Sequence, residues 1–119
     1  MKLIIAIIRP ERLDAVQAEL EEVLDEADKY RITVQPADGH GHQQGHAEYF
    51  RGQKMRPRLI RKTKIMVAVN DAYVEPTITA IIKGARTQSG GAVGDGKIFV
   101  LPLEECIRIR TGERGGKAI

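Results

Sequence analysis

Two segments carry residues suited to holding a phosphate. Gly91-Ala-Val-Gly-Asp-Gly96-Lys97 fits the spacing G-x-x-x-x-G-K, in which backbone N–H groups and a lysine wrap an anion. Ile98 stands where a Ser or Thr would meet a magnesium ion, and an apolar strand pattern follows instead of a helix, so the match to a true P-loop fails. The segment serves equally as an anion cradle or as a flexible connection. Arg108-Ile-Arg110 is the second segment. Alternation puts both guanidiniums on one side, where paired forks suit phosphate oxygens. Taken alone, the pair reads first as a charged edge strand that deters aggregation.

Two further segments hold chemistry-bearing residues. His40, His42 and His46 share a Gly-rich stretch with Asp38 and Glu48 as the nearest carboxylates. They read first as solvated loop residues, with transition-metal binding as the alternative. The span Ala47 to Lys62 has few apolar residues. From Arg51 to Lys64 there are seven basic residues and no acid. That charge suits an anionic partner, but the span lacks the interleaved aromatics of a nucleic-acid arm. Met55, Leu59 and Ile60 among arginines fit a protein-binding finger instead. No Ser-His-Asp set, no H-E-x-x-H and no spaced carboxylate pair is present, and Cys106 beside two acids is a disfavoured thiolate, so no catalytic constellation is expected.

The elements that position these residues are legible in the hydrophobic period. Leu3 to Ile8 reads as a buried strand, and Pro10 suits a first helical turn. Leu13, Val16, Leu20, Val23, Leu24 and Ala27 share one helical face. A second strand is expected over Tyr30 to Ala37, with Ile32 and Val34 on one side, and a third over Ile65 to Val69. Asn70-Asp71 is a candidate cap for a helix carrying Val74, Ile78, Ile81, Ile82 and Ala85. Pro76 starts that helix near Glu75 or distorts its first turn. Lys97 to Leu101 is a fourth strand, and Ile107 to Arg110 a short fifth. Ile4 to Leu13 has the same strand-then-helix spacing as Ile65 to Val74. The pattern predicts an α+β, ferredoxin-like double βαβ sandwich with helices on one face of an antiparallel sheet. Its other face is also apolar, so self-association is expected to cover it.

The composition sets bounds. The chain has 119 residues, 42% hydrophobic and 29% charged, with formal net charge +3, enough for one domain with a mostly aliphatic core. Four per cent aromatic residues and no Trp leave no stacking platform for single strands, so no nucleic-acid partner is expected. A single Cys excludes a disulfide framework. The N-terminal apolar run is too short for a signal peptide or a membrane span, so the expected location is the cytoplasm, with membrane contact only through a membrane-protein target.

Taken in order, these motifs resemble the PII signal-transduction family over nearly the whole chain. The resemblance rests on Ile7-Ile-Arg-Pro10 with Leu13-Asp14, Gly39-x-Gly41-x-Gln43-x-Gly45-His46, Arg51-Gly52, Gly94-Asp-Gly-Lys-Ile-Phe-Val100 and Ile107-Arg-Ile-Arg-Thr-Gly-Glu113. It implies one domain over 1–119 with a T-loop at about 41–61, a phosphate loop at about 87–97 and a C-terminal segment over 104–119. It also implies a non-enzymatic homotrimer in nitrogen regulation. ATP or ADP would bind between subunits to Ile7, Thr33, Gly39, Gly41, His42, Gln43, Thr87, Val93, Gly94, Asp95, Gly96, Lys97, Arg108 and Arg110. 2-Oxoglutarate would bind with Mg2+, through Gln43, Gln44, Gly45 and Lys62, with Gln43 as the magnesium ligand. The T-loop would control a target such as an ammonium channel, a nitrogen-metabolism enzyme or another transporter.

The chain departs from that pattern at several points. Met55 stands where many members carry a modifiable Tyr, so uridylylation there is excluded. His42 and Gln44 replace the usual Arg and Lys, and Met66 replaces a Glu near the adenine. Gln88 to Val93 is longer than the usual phosphate loop, and the first helix and its turn carry several extra residues. The alternatives held beside the resemblance are a metal-responsive adaptor using His40, His42 and His46, and a nucleic-acid module using the basic loop.

Overall fold

The computed structural model describes residues 1–24, 31–41, 49–50, 53–54 and 58–119. Strand β1 (Lys2–Ile8) is followed by a 3-10 turn (Pro10–Arg12) and helix α1 (Leu13–Val23). Strand β2 (Thr33–Gly41), a two-residue pair β3 (Tyr49–Phe50) and β4 (Gln53–Lys54), and the long strand β5 (Arg58–Val69) come next. A second 3-10 turn (Asp71–Tyr73), helix α2 (Val74–Ala85), strand β6 (Gly96–Pro102) and a 3-10 turn (Gly115–Ala118) complete the order. The main sheet runs β2-β5-β1-β6, all antiparallel. This is the expected ferredoxin-like sandwich.

The two halves repeat. Both βα units run strand, 3-10 turn, helix, each offset by the same 61 residues, from Ile8 to Val69 and from Leu13 to Val74. Alternation along β1 and β5 puts Ile4, Ala6, Ile8, Ile65, Val67 and Val69 into the core beneath Val16, Leu20, Ala80 and Ile81 of the helices. The helices touch closely at Gly84, where an added Cβ would stand 2.6 Å from the Val16 Cα. Arg12 Nε donates to the Gly84 carbonyl at 2.9 Å and so satisfies one C-terminal acceptor of α2. Pro76 falls in the first turn of α2, where its missing N–H has no partner to lose.

Four expectations need correction. The second strand begins at Thr33 and runs to Gly41, and the third begins at Arg58, because Asp38 to Gly41 and Arg58 to Arg61 pair with each other beyond the end of β1 as a two-stranded ribbon. The fifth strand is absent. Ile107 makes one isolated bridge to Arg114, and a turn closed by Gly112 N–H to Arg108 O at 2.8 Å breaks the alternation. The Asn70 side chain does not cap α2; its amide donates to Gly116 O at 3.2 Å. The first helix ends at Val23, and Ala27 lies outside the described residues.

The second sheet face is apolar, as expected. The register sets Ile5 between Met66 and Phe99, and Leu3 between Ala68 and Leu101, with Phe99 47% and Leu101 41% exposed. Two stability predictions follow from the helix face. Gly84→Ala should lower stability by about 1–3 kcal/mol, because backbone cannot yield to the new methyl. Thr77 is fully buried, its hydroxyl lacks a partner among the described residues, and its counterpart in the repeat is Val16. Thr77→Val should therefore raise stability by about 1 kcal/mol. Urea unfolding at fixed protein concentration measures both; a stabilised Gly84→Ala or a destabilised Thr77→Val contradicts this packing.

Candidate functional site

The Gly-rich loop between α2 and β6 is placed by a backbone contact. Gly96 pairs with Ile8 at φ +113°, and a Cβ there would overlap the Ile7 carbonyl oxygen. Only glycine allows β6 to start so close to β1. The same register sets Arg9 opposite Asp95, and the side chains meet at 3.1 Å, Arg9 Nε to Asp95 Oδ1.

Asp95 organises the loop from inside. Its carboxylate accepts the Ala92 N–H at 2.7 Å, the Thr87 hydroxyl at 2.8 Å and the Thr87 N–H at 3.2 Å. Burial opposes its charge, but the Ala92, Thr87 and Arg9 donors outweigh that and hold the carboxyl at about 2. The outer carbonyls are held as well. Arg9 Nη2 donates to Val93 O at 2.8 Å, and Lys62 Nζ donates to Gly94 O at 2.9 Å. The Val93 and Gly94 N–H groups have no internal acceptor among the described residues. Gly94 sits at φ +94°, and Lys97 is exposed beside Ile7 on the open sheet face. Free N–H groups, a left-handed glycine and nearby cations suit an anion.

The expected site residues fall into two groups. Ile7, Lys62, Thr87 and Val93 to Lys97 gather at the loop end of the sheet, with Gly39 beside the Lys62 stem, while Gly41 stands farther out on the ribbon opposite Arg58. Arg108 and Arg110 lie at the other end, lining a cleft of about 960 Å³ with Ala68, Asn70, Tyr73 and Lys117. Six residues of β5 separate the level of Gly96 from that of Val69, about 20 Å at the rise of a strand. Arg108 spends part of its fork on Glu113 Oε1 at 3.1 Å and Lys117 O at 3.2 Å. Thr33 is exposed on the edge strand β2, paired with Met66, across the sheet from β6.

Of the candidate metal residues, His40 is exposed on β2, while His42, Gln43, Gln44, Gly45, His46 and Met55 lie outside the described residues. Among the described residues no group of three metal-binding side chains occurs. Arg9 was missed as a site residue. Its signal was the antiparallel register, which pairs a cation at the end of one strand with an acid at the start of another.

Asp95 generates a pH prediction. Its folded pKa lies below the ordinary 3.8, so its contribution is complete above that value and is lost as pH falls towards about 2. The loss is on the order of 2 kcal/mol. Asp95→Asn should flatten the stability curve over that window, read as urea midpoints against pH. Parallel curves for the two proteins would contradict the assignment.

The sequence model of the family described as Nitrogen regulatory protein P-II matches residues 1–113. Nitrogen regulatory protein GlnK1 of Methanosarcina mazei is 52% identical over 119 residues, covering 100% of this chain and 97% of that protein. Nitrogen regulatory protein P-II of Rhodospirillum rubrum is 50% identical over 119 residues, covering 100% of both chains. Nitrogen regulatory protein P-II 2 of Methanothermobacter thermautotrophicus is 44% identical over 119 residues, covering 100% of this chain and 97% of that protein. No helix among the described residues is long and apolar enough to cross a membrane. With the family model matched over residues 1–113 and relatives 52% and 50% identical over 119 residues, the chain belongs to the nitrogen regulatory P-II family, whose members are signalling regulators and not enzymes.

Proposed function

We propose that this chain forms a homotrimer, binds ATP or ADP at each seam between copies, and passes the occupancy of that site to a target protein through the loop that follows β2. The reading is carried by one observation: the side chains suited to phosphate are divided between opposite ends of one chain. One copy alone cannot close both groups on a single nucleotide. A second copy can, if the β6 edge with Gly94, Gly96 and Lys97 of one meets the side of the next that carries Thr33, Arg108 and Arg110. The half-exposed apolar sheet face supplies the surface for that assembly.

The roles follow from chemistry. The Val93 and Gly94 N–H groups and Lys97 hold the phosphates from one side, and Arg108 and Arg110 neutralise them from the other. Ile7 and Thr33 face the base. 2-Oxoglutarate with Mg2+ engages Gln43, Gln44, Gly45 and Lys62, of which Lys62 lies at the loop end of the sheet. To reach its carboxylate, Lys62 must give up or share its bond to the Gly94 carbonyl.

Calorimetry with ADP and ATP tests the reading. Lys97→Ala and Arg108→Ala should each weaken binding about tenfold or more, because each removes a charge-assisted phosphate contact. Mixing the two variants under subunit exchange should restore wild-type affinity at roughly one seam in four, since Lys97 and Arg108 then come intact from different copies. No recovery on mixing, or unchanged affinity in both single variants, rejects the shared site.

A further inference from the structure

Arg9 belongs to none of the anion-binding motifs, yet it bonds the Gly-rich loop on both sides of Gly94. Nε reaches the Asp95 carboxylate at 3.1 Å and Nη2 the Val93 carbonyl at 2.8 Å. The Gly94 position lies directly beneath it, since a Cβ there would be 3.0 Å from Nη2. The side chain is about one-third exposed, at 30%, and its partner carboxylate 15%.

The consequence comes from peptide planarity. In a trans peptide the C=O and the following N–H point in opposite directions. Holding the Val93 carbonyl towards Arg9 therefore turns the Gly94 N–H to the far side, where no internal acceptor takes it. Lys62 holds the next carbonyl, Gly94 O, and the N–H of that peptide is already spent on Ala92 O at 3.1 Å. Gly91, Gly94 and Gly96 all sit at positive φ, so without such ties the loop has many other conformations to occupy.

We propose that Arg9 is a positioning residue of the anion site: through Asp95 and the Val93 carbonyl it fixes the peptide plane that presents the Gly94 N–H, without touching the bound phosphate. The inference rests on the nucleotide reading above. Arg9 acts from the end of β1, one of the two inner strands, so the aim of the donor is set by the rigid part of the sheet rather than by the loop.

The test is calorimetry with ADP on the full chain, for wild type, Arg9→Gln, Arg9→Lys, Asp95→Asn and the double variant Arg9→Gln/Asp95→Asn, together with amide NMR of the nucleotide-free proteins. Arg9→Gln should shift the Thr87, Ala92 and Gly94 amides while leaving those of α1 unchanged, and should weaken ADP about tenfold. Arg9→Lys keeps the charge but cannot span both acceptors, so it should recover only part of the loss. The double variant should bind no more than about twofold worse than the weaker single variant, because both changes release one tie. Multiplying losses would mean direct phosphate contact and would overturn the proposal, as would full recovery by Arg9→Lys. Wild-type ADP binding with unchanged Arg9→Gln affinity overturns this proposal alone. Absence of wild-type binding overturns the nucleotide reading and this inference with it.

Discussion

The contact between Gly96 and the Ile7 carbonyl is the constraint on which the order of the Gly-rich loop depends. It leaves no room for a side chain, so β6 can start in only one register against β1. That register carries Arg9 to Asp95, and Asp95 in turn gathers Thr87 and Ala92. A ten-residue connection rich in glycine would otherwise be costly to order. Here the order is imposed from the middle of the sheet, by a strand buried between two neighbours.

The same sheet explains why one copy holds the two groups of candidate residues apart. β1 is one of the two inner strands, and its two ends mark the two ends of the four-stranded part of the sheet. The loop grows from one end and the Arg108 turn from the other, and the strand between them is too rigid to fold back. Among the described residues both edge strands, β2 and β6, have an open side, and the face between them is largely apolar. An apolar face flanked by two open edges is a surface suited to association.

How much of this was legible follows from which residues stated their own position. Ile4, Ile8, Leu20 and Ile81 alternate or recur at helical steps and all lie in the core, so both βα units were readable. The ribbon of Asp38 to Gly41 against Arg58 to Arg61 was not. Asp, Gly and Arg signal turns or solvent, and here they pair only with each other, outside the core that sets the hydrophobic period. Ile107 to Arg110 misled in the opposite way. Its alternation is that of a strand, but Ile109 is fully exposed and the pairing stops at one bridge, Ile107 to Arg114, before the chain turns. Asn70 has the chemistry of a cap, yet Gly116 from a distant part of the chain claimed its amide. For the site, Gly94, Gly96 and Lys97 announced themselves by spacing, whereas Arg9 is identified only by its partner.

Lys62 ties the ribbon and the Gly-rich loop of this end to each other. Its backbone lies in β5, opposite Ala37, where the ribbon leaves the body of the sheet. Its ammonium group ends on the Gly94 carbonyl, inside the Gly-rich loop, and the residue is only 9% exposed. A buried ammonium that loses its acceptor must find another or be hydrated, so neither region can move far without involving the other. A ligand that binds better to one arrangement of this lysine than to the other shifts the ribbon by that difference in affinity, and by no more than that. The coupling therefore requires no long path through the protein, because a single side chain, anchored in one region and bonded in the other, is enough to make each sensitive to the state of its neighbour.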